Sequence, residues 1–165
     1  MPSLQIQSMP QDLYGYLQKL AFNHNDSLET QVIKLLYQAK QQKEKYQQTA
    51  RFDKLIQQLN DYLNLKENWD AYNGVAPKVK TINDAIKFVK SLPKQIPLPE
   101  PMIAGSGTVG LYWDSQGIYA EIGFEGDGTF WCYGEDNQGN EAGEDRLNLG
   151  DKLPADLLNM LKTLA

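Results

Sequence analysis

The chain has one cysteine and one histidine among its 165 residues. A single cysteine, Cys132, excludes an internal disulfide and fits a reducing compartment. A single histidine, His24, excludes a paired-histidine metal site or a histidine-based triad within one chain. No apolar run is long enough to cross a bilayer and no signal peptide is visible, so a cytoplasmic protein without a membrane partner is expected. From Glu121 to Asp151 acids greatly outnumber bases, yet no Asp-x-Asn-x-Asp-Gly pattern with its terminal glutamate is present. The stretch Gly134 to Gly143 therefore reads as a solvated acidic loop. Gly105-Ser106-Gly107-Thr108 lacks the lysine and helix of a phosphate loop and reads as a turn. With no activated nucleophile or metal-water route, no cofactor, metal or catalytic residue is expected, and the protein is read as a non-enzyme.

What is present is ordinary in amount and uneven in placement. Apolar residues make up 41% and charged residues 22% of the chain, which suits a globular protein with one medium core or two small ones. Residues 1 to 50 carry five lysines, no arginine and four acids, a net charge of plus one; residues 51 to 165 carry minus six. Any nucleic-acid contact therefore belongs to the N-terminal part.

The first thirty-six residues are the most patterned. Leu4 and Ile6 alternate with Ser3, Gln5 and Gln7, the period of a half-buried strand, and Met9-Pro10 ends it at the expected start of a helix. Leu13, Leu17, Leu20 and Ala21 form one helical stripe; Leu28, Val32, Leu35, Leu36 and Ala39 form another. A lone strand cannot satisfy its own backbone, and so small a unit buries little apolar surface, so pairing with a second copy is expected. Asp26 or Ser27 is a good N-cap for the second helix, with Glu29 three residues after Asp26 as in a capping box.

In its order and in Ser3, Leu4, Ile6, Met9, Pro10, Leu13, Leu17, Ala21 and Ser27, this segment resembles the ribbon-helix-helix DNA-binding module of the Arc and MetJ type, especially its antitoxin branch. The match covers under a quarter of the chain. It implies a homodimer whose paired strands enter the major groove, with Ser3, Gln5 and Gln7 facing the bases and the amides of Ser27 and Leu28 holding a phosphate. Glutamine can pair with the N6 and N7 edge of adenine. The function so implied is an autoregulatory transcriptional regulator of a toxin-antitoxin system, with an operator and a toxin protein as partners. The alternative is a protein-interaction module that uses the fold only to dimerise. Scarce basic charge favours the alternative, and the glutamines favour DNA.

The division expected is 1–39 for the ribbon-helix-helix module, 40–50 for a polar helical extension or linker, and 51–165 for an α+β domain that binds a partner or senses. In that domain two helical stripes, Phe52 to Leu63 and Ile82 to Leu92, precede a proline-rich connector from Pro93 to Pro101. Strands are expected over Thr108 to Asp114, Ile118 to Phe124 and Thr129 to Tyr133, with a last helix from Pro154 to Leu164. The fold class is α+β, a helix-covered antiparallel meander.

Two features of this domain invite function. The loop Glu67 to Gly74, with Trp69, Asp70 and Tyr72, resembles that of an uncharacterised bacterial family marked by "NWDGYG", which implies no activity. Its plainer reading is a turn pinned by Trp69, with Asn73-Gly74 supplying the left-handed conformation. Alternation places Tyr112, Tyr119, Trp131 and Tyr133 on the sheet face opposite the core, beside Glu121. Either the chain's own helices cover them or they form a partner-binding surface.

Overall fold

A computed structural model describes residues 5 to 164. Two compact units divide the chain, residues 1–50 and 51–165. The boundary falls within a long helix.

In the first unit, α1 spans Gln11–His24 and α2 begins at Leu28 and runs to Asp61. Proline at position 10 stands just outside α1, where its missing N–H costs nothing. Asn25 ends α1 in the left-handed conformation, φ 54°, and its N–H reaches the carbonyls of Ala21 and Phe22. Asp26 N–H bonds to the Ala21 carbonyl at 2.9 Å, which completes a Schellman-type cap. Ser27 is the cap of α2: Thr30 N–H donates to its Oγ at 3.0 Å, and the two hydroxyls lie 2.8 Å apart. The reciprocal pair is thus Ser27 with Thr30 and not Asp26 with Glu29, because the Asp26 carboxylate is drawn to Lys34 at 2.7 Å. No strand occurs between Gln5 and Pro10, and Ser3 and Leu4 lie outside the described residues. The ribbon expected there would draw its hydrogen bonds from a second chain, so one chain cannot form it.

Residues 40 to 50 are helical, in the manner of the extension and not of a linker, and α2 runs on without a break through the stripe from Phe52, where a separate helix was expected. Lysine, glutamine and glutamate favour helix and nothing in the stretch breaks it.

In the second unit, α3 is Val79–Ser91 and α4 is Ala155–Lys162, with one 3₁₀ turn at Tyr62–Asn64. Five strands form an antiparallel sheet in chain order: β1 Glu100–Ile103, β2 Val109–Ser115, β3 Ile118–Phe124, β4 Thr129–Asp136 and β5 Glu141–Asn148. Val109, Leu111, Trp113, Ala120, Ile122, Phe124, Phe130 and Cys132 all point into one core with Ile82, Phe88, Leu157 and Leu161 of α3 and α4. Phe88 lies 5.5 Å from Phe124 and 5.2 Å from Phe130, ring centre to ring centre, and so seats α3 on the sheet. A Cβ on Gly134 would come within 2.5 Å of Leu157, so this glycine sets how closely α4 approaches.

Two strands depart from the sequence reading. β1 begins inside the supposed connector and contains Pro101, which an edge strand tolerates because one side needs no N–H. β5 and the end of β4 occupy the supposed acidic loop. β5 is a charged edge strand tied to β4 by its backbone, with only Ala142 and Leu147 turned half inward. The connector itself is anchored: Ile96 is buried, and the Trp113 indole N–H donates to the Pro97 carbonyl at 2.7 Å.

Candidate functional site

Of the contact residues expected in the head, Ser27 is exposed, Leu28 is half-buried and Ser3 lies outside the described residues. Gln5 and Gln7 are exposed, as is Ile6 at 52%, which the alternation assigned to the helices. The physical reason is local: residues 5 to 10 form no strand, so no alternation fixes Ile6 toward the helices. The Ser27 hydroxyl is committed to its cap, while the backbone N–H groups of Ser27 and Leu28 have no protein acceptor among the described residues. Lys34 shields the Asp26 charge beside them. Among the described residues of this unit only Leu17 and Ala21 are buried hydrophobics; Gln31 is also buried, its Oε1 3.3 Å from His24 Nδ1. Leu13, Tyr14, Tyr16, Phe22, Ile33, Leu36 and Tyr37 remain exposed.

The sheet of the second unit has two unlike faces. α3 and α4 close over the core face. Tyr112, Tyr119, Trp131 and Tyr133 stand on the other, each half-buried. Strand register brings Tyr112, Glu121 and Tyr133 side by side, and places Trp131 opposite Gly123. A Cβ on Gly123 would overlap the Trp131 indole, so the ring lies flat on the glycine.

Two tyrosine hydroxyls are bound to carboxylates on this face. Tyr119 donates to Glu121 at 2.8 Å, and Tyr133 donates to Glu135 at 2.8 Å with Glu141 at 3.2 Å. Burial foremost, then the Glu121 hydrogen bond and charge, pushes the Tyr119 hydroxyl up to about 12. For Tyr133 the Glu135 hydrogen bond comes first and also takes it to about 12. The sequence reading noted Glu121 but missed Glu135 and Glu141. Both were hidden in the stretch taken for a loop; continuing the alternation of β4 two residues beyond Tyr133 would have found Glu135.

The Glu67 to Gly74 loop is closed on itself. Asp70 Oδ1 accepts the N–H groups of Tyr72 and Gly74, each at 2.8 Å, and those bonds hold its carboxyl below the usual range. Asn68 N–H reaches the Gly74 carbonyl at 2.7 Å, and the Trp69 indole donates to the Val75 carbonyl at 3.2 Å. Trp69 therefore pins the loop to its own exit segment by this bond. Asn68, Ala71 and Asn73 have positive φ, whereas Gly74 is needed for space: a Cβ there would lie 2.7 Å from Asp70 Oδ1. Asp70 is a structural acceptor, and Tyr72 projects 87% exposed.

Cys132 is buried, and burial pushes its thiol up, away from the thiolate a nucleophile needs. No three metal-ligating side chains converge among the described residues. Comparison with protein-family models, curated proteins and solved structures finds no match for this chain.

Proposed function

We propose that this protein is a homodimeric DNA-binding regulator of the antitoxin kind, joined at its head in the ribbon-helix-helix manner, with a C-terminal unit that binds a partner protein and performs no catalysis. One observation carries the reading: among its described hydrophobic residues the two-helix head buries only Leu17 and Ala21 and leaves Leu13, Ile33, Leu36 and Tyr37 open, so a second copy supplies the missing half of its core. The strand needed for the ribbon draws its partner from that same copy. Exposed Gln5 and Gln7 then read base edges, and the amides of Ser27 and Leu28 receive a phosphate.

A second reading keeps the dimer and omits the DNA site. It is favoured by the net charge of only plus one over residues 1 to 50, since phosphate contacts supply most non-specific affinity. Competition binding of the full chain against randomised DNA separates the two. A preferred sequence, lost in Gln5→Ala or Gln7→Ala at about 1 to 3 kcal/mol, supports the first. No preference in the parent chain supports the second.

A further inference from the structure

The Glu67 to Gly74 loop ends on the chain's one Asn-Gly pair, Asn73-Gly74. Such a pair is chemically labile, because glycine places no Cβ beside its nitrogen to hinder attack on the preceding side chain. The Gly74 nitrogen, having given its proton to solvent base, attacks Asn73 Cγ; the new N–C bond forms as the Cγ–Nδ2 bond breaks, and the amine takes a proton from water and leaves as ammonia. Water then opens the cyclic imide at either carbonyl to give aspartate or its β-linked isomer. The reaction needs a free glycine N–H and a backbone that can turn.

The closed loop supplies neither. Gly74 is buried, its N–H donates to Asp70 Oδ1 at 2.8 Å, and its carbonyl accepts the Asn68 N–H at 2.7 Å. Asn73 N–H is held in turn by Asn68 Oδ1 at 2.8 Å. A Cβ on Gly74 would lie 2.8 Å from the Trp69 indole nitrogen, so the backbone has no room to swing there. The Asp70 carboxylate also opposes ionisation of the N–H, since loss of that proton would set one negative charge beside another.

The arrangement recurs at the chain's one Asp-Gly pair, Asp127-Gly128, which can cyclise in the same way with loss of water in place of ammonia. There Gly128 N–H donates to Asp84 Oδ2 at 3.2 Å, and Asp84 is 2% exposed. In both turns the attacking nitrogen is closed by the carboxylate of a third residue.

We infer that Asn73 is a latent deamidation site, kept intact by Asp70 while the loop is closed and converted when the loop opens. Conversion is one-way. Aspartate at position 73 adds a negative charge to a loop that already holds Glu67 and Asp70, and the β-linked isomer adds a backbone atom to the turn, so either product opposes reclosure.

The test follows Asn73 in the full chain at mildly alkaline pH by peptide mapping, which reads the mass gain of deamidation and the isoaspartate formed. The folded parent is expected to convert at least about tenfold more slowly than the same chain unfolded in urea, because local opening limits the reaction. Asp70→Ala should recover most of that difference. Gly123→Ala, which crowds Trp131 elsewhere in the same unit, should not. Amide hydrogen exchange of the parent gives a readout that needs no variant: the Gly74 N–H should be protected by at least about tenfold. Equal conversion of folded and unfolded parent, exchange of Gly74 at the unfolded rate, no acceleration in Asp70→Ala, or equal acceleration in Gly123→Ala would overturn the assignment.

Discussion

Gly123→Ala tests the packing of the sheet face opposite the core at its tightest point. The added methyl would overlap the Trp131 ring, which lies on Gly123 across the β3–β4 pair. The ring must leave its seat or the strands must part, and overpacking of this kind costs roughly 1 to 3 kcal/mol. Trp131→Ala removes the obstacle. In that background the same glycine change restricts the unfolded chain without a clash and should be neutral or stabilising by about 0.5 to 1 kcal/mol. The effect of one substitution therefore depends on its neighbour, and the coupling energy is about 1 to 4 kcal/mol. All three tryptophans, Trp69, Trp113 and Trp131, belong to residues 51–165, so fluorescence in the Trp131-containing pair reports this unit. Far-UV circular dichroism in urea serves all four proteins. Equal destabilisation by Gly123→Ala in both backgrounds would refute the stacked geometry.

Ala71→Gly should stabilise the second unit by up to about 1 kcal/mol, because alanine there holds φ 64°; a loss in urea midpoint would contradict the left-handed assignment. Titrated by absorbance at alkaline pH, the tyrosines should separate, with Tyr119 and Tyr133 ionising only near pH 12. Their folded values stand above the unfolded one, so the stability they contribute is complete below about pH 10 and is lost as pH rises toward 12; Tyr133→Phe should remove one late-ionising group. Asp70 has a depressed value, so its contribution is present above the ordinary carboxylate range and is lost as pH falls through its lowered folded value. Asp70→Ala should flatten the acid limb of stability, and an unchanged limb would show the loop bonds to be unimportant.

Much of the second unit was legible because its physics is local. β3 falls on Ile118–Phe124 as alternation expected, and the partition of Tyr112, Tyr119, Trp131 and Tyr133 from the core follows the same period. β5 was not legible: Glu141 to Asn148 has no strand-like composition, since an edge strand is held by its neighbour's backbone and by a charged rim that mimics a loop. The left-handed Ala71 was equally hidden, as alanine gives no sign of a positive φ that the Asp70 hydrogen bonds impose. In the head, both helices were readable from their stripes, and the start of the second from its capping residue Ser27. The exposure of Ile6 was not, because the alternation that would bury it needs a strand, and the strand needs a second chain.

That second chain is the central claim, and sedimentation equilibrium of the full protein over micromolar concentrations measures it directly. The account predicts a species of twice 18.7 kDa that falls to monomer when residues 1 to 8 are removed, or when Leu36→Glu places a charge on the exposed stripe. An 18.7 kDa monomer in the intact chain at every concentration, or a dimer indifferent to both changes, would contradict it.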